Sequence, residues 1–176
     1  MPYSDSRFDP KVKSIIKKIN PKTILDIGPG HGKYARVIKS VIRRDITIDA
    51  VEIDKSYIKK FKLKELYSNT YNSSIQDFVE NNLEIKYDLV IFGDVIEHLK
   101  KSEGIDILNF FVYRSRYIML QWPHGFIQNS WEGHDQEAHI SVWGKADFAN
   151  FEYDWYEKDV MRLVLVKGYI TNNKHV

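Results

Sequence analysis

The 176-residue chain contains no cysteine. That removes a disulfide framework, a thiolate metal site and a thiol nucleophile together. Its five prolines and nine glycines form no run that would serve as a low-complexity linker. An excess of one charge is missing too: 26 basic residues face 24 acidic ones, for a net charge of +2. Such a balance supplies no general attraction to nucleic acid or to an anionic membrane surface. No apolar run approaches the roughly 20 residues that a membrane span needs, and the N-terminus lacks the apolar core of a signal peptide. A cytoplasmic protein without a membrane partner is the expectation. What the chain does have is 43% hydrophobic and 14% aromatic residues. That is enough to bury a core in one domain over residues 1–176, opened by an N-terminal helical segment at 1–20. No internal repeat is visible, and nothing in the sequence speaks to oligomeric state.

The most informative stretch is T-I-L-D-I-G-P-G-H-G-K-Y at residues 23–34. Ile24, Leu25 and Ile27 make a short apolar run that reads as a buried parallel strand. Gly28, Gly30 and Gly32 follow at alternate positions, with Pro29 between the first two. Tyr34, Val37, Ile38, Val41 and Ile42 then recur at helical spacing. In a strand–turn–helix unit, a glycine turn lets a ligand approach the main chain, and the helix start offers free N–H groups to it. The spacing is not the G-x-G-x-x-G of dinucleotide-binding turns, because Lys33 stands where the third glycine would be.

The rest of the chain alternates between the two periods. Residues 10–20 form an amphipathic helix with Asp9 as its expected cap, Pro10 at its first position and lysines on a solvated face. Residues 46–53 are apolar and β-branched, and end in Glu52, about 20 residues beyond the glycine turn. An acid there can accept both ribose hydroxyls of a nucleotide. Asp54 is then the cap of a single helix expected over 56–66. A weak strand at 67–72 precedes Ser74, which reads as a helix cap or a ligand contact. Residues 87–94 form a fourth strand, apolar on both faces, running into Val95-Ile96-Glu97-His98. A helix over 100–116 with Ser102 as its cap, a strand at 117–122, a short helix at 145–151 and two closing strands at 153–158 and 161–169 complete the pattern. Between them, residues 123–144 have little periodicity and hold three of the six histidines. A loop of that length beyond the C-terminal end of a strand reads as a substrate lid.

D-x-G-x-G-x-G after a strand, together with Glu52 and Y-D-L-V-I-F-G-D-V-I-E-H-L, resembles the class I S-adenosylmethionine-dependent methyltransferases. Within them it is most similar to small stand-alone enzymes with G-P-G-x-G-K-Y, D-V-x-E-H and a P-x-G-F…H-x-S-x-W lid. The resemblance implies an α/β, Rossmann-like doubly wound sheet of seven strands with the last antiparallel. It also implies S-adenosylmethionine as cofactor, with S-adenosylhomocysteine as product. The cofactor contacts it implies are Asp26, Gly28, Pro29, Gly30, Gly32, Tyr34, Glu52, Ile53, Ser74, Ile75 and Asp94. His98, His139 and Glu97 are the candidate catalytic groups, since a hydroxyl acceptor wants a base beside it. His124, Phe126, Trp131 and His134 are the candidate acceptor contacts. The acceptor is read as a hydroxyl of a small molecule or a sugar. The alternative is a nucleic acid, because Asp94, Glu97, His98 and His139 also resemble the metal site of small-RNA 2′-O-methyltransferases. The expected site is metal-free, and those four residues are the set that would hold Mg²⁺ or Mn²⁺. A non-catalytic binding module is the third possibility.

Overall fold

The apolar segments become strands wherever both of their faces can be covered. In the computed structural model, which describes residues 4–130 and 133–171, β1 (Thr23–Ile27), β2 (Thr47–Glu52), β3 (Asn69–Asn72), β4 (Tyr87–Gly93) and β5 (Ser115–Pro123) pair in parallel. β6 (Tyr153–Lys158) and β7 (Met161–Lys167) close the chain as a hairpin, with β7 antiparallel to both β5 and β6. The sheet order is β3-β2-β1-β4-β5-β7-β6. β7 takes the interior place because its Leu163, Val164, Leu165 and Val166 are apolar on both faces. β6, sequence Y-D-W-Y-E-K, suits an edge that water reaches. The expected seven-stranded sheet with an antiparallel last strand is therefore what forms. No described helix is long and apolar enough to cross a membrane.

α1 (Asp9–Ile19), α2 (Lys33–Val41), α3 (Lys55–Lys60) and α4 (Leu63–Leu66) feed one core layer. α5 (Ile75–Glu80) and α6 (Lys101–Val112) cover the opposite face. The chain thus winds outward from β1 through β3, then returns to start β4 on the other side of β1. Open α/β sheets bind ligands at such a reversal, outside the carboxyl ends of the strands. Here those ends carry Gly28, Glu52 and Asp94.

Three local expectations are corrected. Asp9 does not cap α1. It lies inside the first turn, the cap position is Phe8, and no side chain bonds there. Asp9 instead pairs with the buried Lys33 ammonium at 2.7 Å. Lys33 also donates to the Asp5 carbonyl, so it holds the N-terminal strap 4–8 across the strand ends. The single helix expected over 56–66 is two helices, broken at Lys62 with φ +52°. At 100° per residue, Leu63 in one straight helix would sit roughly 120–140° away from Tyr57 and Ile58. All three are buried, so the break turns Leu63 inward. Ser102 does not cap α6 either. It lies within the helix, whose cap position is Lys100 with no side-chain bond.

One glycine connects the core to the lid. Gly104 on α6 faces Trp143, and a Cβ there would stand 2.5 Å from Trp143 Cζ2 and 2.8 Å from Cη2. The buried Trp143 indole donates to Ile96 O (3.0 Å) and to Ser141 Oγ (2.8 Å), which anchors the lid's C-terminal end. Gly104→Ala is expected to lower stability by about 1–2 kcal/mol, because overpacking costs more than the roughly 1 kcal/mol of helix propensity gained. A urea midpoint at or above the wild-type value would show that Trp143 shifts freely.

Candidate active site

The turn after β1 needs its glycines: Gly28, Gly30 and Gly32 have φ of 62°, 51° and 82°, in the left-handed region. Gly28 N–H donates to Val51 O (2.9 Å) and Gly32 N–H to Pro29 O (2.7 Å), which fixes the loop. A cleft of about 250 Å³ opens against it, lined by Gly28, Gly30, Glu52, Ile53, Ser74 and Ile75 among others. Glu52 is 4% exposed. Its carboxylate accepts from the N–H groups of Asp54 (2.9 Å) and Gly30. Burial pushes its pKa up to about 7 against the pull of those bonds, with the charges of Asp54 and Glu137 adding. Asp54 caps α3, accepting from Ser56 N–H at 2.7 Å, and Ser74 caps α5, accepting from Asp77 N–H at 3.0 Å.

β4 ends in a strained turn, for Asp94 has φ +56°. The next residues form a 3-10 turn, Ile96–His98. A second cleft of about 230 Å³ opens there, bounded by Asp5 and Arg7 of the strap, by Phe126, Gln128 and His139 of the lid, and by Val160 and Met161 of the β6–β7 hairpin. Asp94 and His98 line both clefts. Burial pushes Asp94 up to about 7, against the Ser4 hydroxyl and the Lys33 charge. Glu97 is 2% exposed, and among the described residues no other residue hydrogen-bonds to its carboxyl oxygens. Burial, then the Asp94 charge, hold it well above the carboxylate range.

The two imidazoles are oriented by main-chain carbonyls. His98 Nδ1 meets Ala138 O at 3.0 Å and His139 Nδ1 meets Phe126 O at 2.8 Å. A carbonyl only accepts, so each Nδ1 carries the proton and each Nε2 presents a lone pair. Burial lowers both pKa values, which favours the neutral rings. His139 Nε2 lies 4.0 Å from Glu97 Oε1, and the two rings stand 4.9 Å apart. Glu97, His98 and His139 place one ligand atom each within 4.8 Å of one another, a possible metal cluster that does not include Asp94.

The candidate residues divide accordingly. Gly28, Gly30, Glu52, Ile53, Ser74, Ile75 and Asp94 line the first cleft. Asp26, Pro29, Gly32 and Tyr34 stand behind it. Asp26 is fully buried and accepts from the Tyr67 hydroxyl at 2.6 Å; burial takes its pKa up to about 7. The Tyr34 ring fills the space a side chain at Gly93 would need. Phe126 packs on His139, with ring centres 5.6 Å apart, in the second cleft. His124 turns away, with its Nδ1 on Trp143 O at 3.1 Å. His134 sits instead on Asp54, 2.7 Å away, at the rim of the first cleft. Trp131 lies outside the described residues. Sequence reasoning missed Ser4, Asp5 and Arg7, Tyr57, Gln136 and Glu137, and the hairpin residues Val160 and Met161. None of these sits in a motif. Only the length of the lid hinted at two of them.

A reversal point carrying a glycine turn, a buried acid at the end of β2 and a second cleft beyond β4 make this a doubly wound α/β domain with two adjoining clefts. The chain belongs to the methyltransferase-domain family, whose profile matches residues 5–150. Protein 235L of Invertebrate iridescent virus 6, itself only provisionally assigned as a methyltransferase, is 36% identical over 70 residues. Those are 40% of this chain and 25% of the viral protein. An O-methyltransferase family protein from Burkholderia thailandensis superposes with a TM-score of 0.66 at 10% identity, over 92% of this chain and 55% of that one. The plantazolicin methyltransferase BpumL, solved with S-adenosylhomocysteine, gives 0.66 at 12%, over 93% and 84%. The magnesium protoporphyrin IX methyltransferase of Synechocystis PCC 6803, solved with S-adenosylmethionine, gives 0.59 at 14%, over 91% and 79%. At these identities the likeness is one of fold. The chain thus spans about half the length of the Burkholderia protein and matches a quarter of the viral one.

Proposed function

We propose that the protein is an S-adenosylmethionine-dependent methyltransferase acting on a hydroxyl of a small-molecule or sugar acceptor. The observation that carries this reading is the pair of clefts with a shared wall, Asp94 and His98. One cleft fits the cofactor: its glycine turn leaves the main chain bare, and beside that turn stands the buried Glu52 carboxyl, which would accept from ribose hydroxyls. The family, and the bound cofactors of the BpumL and Synechocystis structures, point the same way. The cofactor supplies an electrophilic methyl on a sulfonium. The chain's own groups align the acceptor, exclude water and take one proton. With the cofactor bound, it would supply the methyl carbon and its sulfur would keep the carbon–sulfur pair, while His139 Nε2 would accept the proton that the acceptor hydroxyl gives up. Phe126, Val160 and Met161 wall the acceptor side with apolar surface. Calorimetry with S-adenosylhomocysteine and a mass-spectrometric screen for methylated acceptors test the reading. Absence of cofactor binding refutes it, and binding without transfer to any acceptor favours the non-catalytic module.

A second reading is favoured by Glu97, His98 and His139, which bring one ligand atom each within 4.8 Å of one another. Each Nδ1–H rests on a carbonyl, the arrangement that orients imidazole ligands around a metal. A divalent cation there would hold vicinal hydroxyls, as at the end of a sugar or an RNA strand. On this reading, chelator-treated protein loses transfer and Mg²⁺ or Mn²⁺ restores it. Unchanged rates after chelation leave the three groups to proton transfer alone.

A further inference from the structure

The lid does more than face the acceptor. Between Gly133 and Trp143 it runs from the rim of the cofactor cleft to the turn after β4. At the rim, His134 Nδ1 lies 2.7 Å from Asp54 Oδ2, and Gln136 Nε2 donates to the same oxygen at 3.0 Å. The His134 ring packs on Tyr57 with centres 5.1 Å apart, and the Tyr57 hydroxyl donates to the Glu137 carboxylate. Gln136 and Glu137 then form part of the lining of the cofactor cleft.

The next residues leave no slack. Gln128 Nε2 donates to Glu137 O at 2.6 Å, and Ala138 O holds His98 Nδ1–H. His139 N–H donates to Gln128 O at 2.9 Å. The N–H groups of Ile140 and Ser141 both donate to Glu97 O, at 2.9 and 3.1 Å. Every residue from 137 to 141 therefore spends a main-chain group on this path. A displacement at Gln136 or Glu137 reaches the carbonyl that orients His98, and His139 itself, within one to three residues.

We infer that His134 and Gln136 are positioning residues: they fasten the run 134–141 to Asp54 as a clasp, and occupation of the cofactor cleft beneath it sets the two imidazoles of the acceptor pocket. The inference rests on the cofactor reading above. It makes cofactor binding precede productive acceptor binding. It also assigns this part of the lid to cofactor retention, where the sequence had suggested acceptor contact for His134.

The test uses the full chain, S-adenosylhomocysteine as probe, and ¹⁵N imidazole spectra of His98 and His139. In the wild type the probe should shift both sets of imidazole signals. In His134→Ala/Gln136→Ala, which removes both donors to Asp54, the probe should dissociate about fivefold faster or more, given the worth of two hydrogen bonds. The imidazole response should then shrink or vanish. His134→Asn, with a donor near the position of Nδ1, should recover most of both effects. Equal dissociation rates and equal imidazole responses in wild type and double variant overturn the clasp. If the wild type fails to bind the probe, the cofactor reading falls instead. The clasp is then judged on the ligand-free spectra, where identical His98 and His139 signals in wild type and double variant overturn it.

Discussion

His139→Ala is expected to lower the single-turnover rate of methyl transfer about 10²-fold or more, the ordinary worth of a positioned general base. His139 is the imidazole whose Nε2 faces the buried Glu97 carboxyl, while its Nδ1–H is fixed on Phe126 O. The group to be lost is therefore the Nε2 lone pair of an imidazole that lines the second cleft. Cofactor affinity should change little, because the glycine turn and Glu52 lie on other strands. His98→Ala should also slow transfer, but His98 lines both clefts and its loss should weaken cofactor binding as well. Rates within threefold of wild type in His139→Ala would make that residue structural. Comparing the two variants separates proton transfer, which His139 alone would lose, from damage to the shared wall.

Glu52→Ala should weaken S-adenosylhomocysteine binding at least about tenfold at pH 8, since hydrogen bonds to a charged group contribute roughly 1.5–3 kcal/mol each. The pH dependence follows from burial. With a pKa of about 7, Glu52 is protonated in mildly acid solution and can no longer accept from both ribose hydroxyls. Wild-type affinity should fall as pH drops from 8 to 6, and Glu52→Ala should flatten that slope, leaving what Asp26 and Asp94 contribute. Stability moves the other way. A carboxyl whose folded pKa lies above its unfolded value of about 4 holds its proton longer in the folded chain. Its contribution is complete below that unfolded value and is lost as pH rises through 7. The ligand-free melting temperature should therefore decline between about pH 5 and 8, and the cofactor should restore stability where the carboxylates are charged. Affinity by calorimetry that is level across this range would remove Glu52 from the ribose role.

The strand and glycine turn that line the first cleft, and the helix after them, were readable because their signals are local. A strand, a glycine turn and a helix are decided by residues within about a dozen positions of each other, through backbone sterics and apolar period. Glu52 and Asp94 follow from the same logic, for each stands at or just past the end of an apolar strand. The doubly wound sheet was legible for the same reason, while the place of β7 between β5 and β6 came only with the structure. Helix ends were less so. Asp9 looked like a cap until the buried Lys33, 24 residues later, claimed its carboxylate. The helix expected over 56–66 broke because Leu63 had to turn toward a core that the sequence does not display. The second cleft was legible only as a cluster of residue types. Its members come from the strap at 4–8, the turn after β4, the lid and the β6–β7 hairpin, and only long-range packing brings these together. His134 shows the limit: its residue type suggested an acceptor contact, yet Asp54, some 80 residues earlier, holds it at the cofactor rim. Local sterics and period are written in neighbouring residues. Which side chain meets which across the strand ends depends on the crossover order of the sheet, and that was decided only when the whole chain packed.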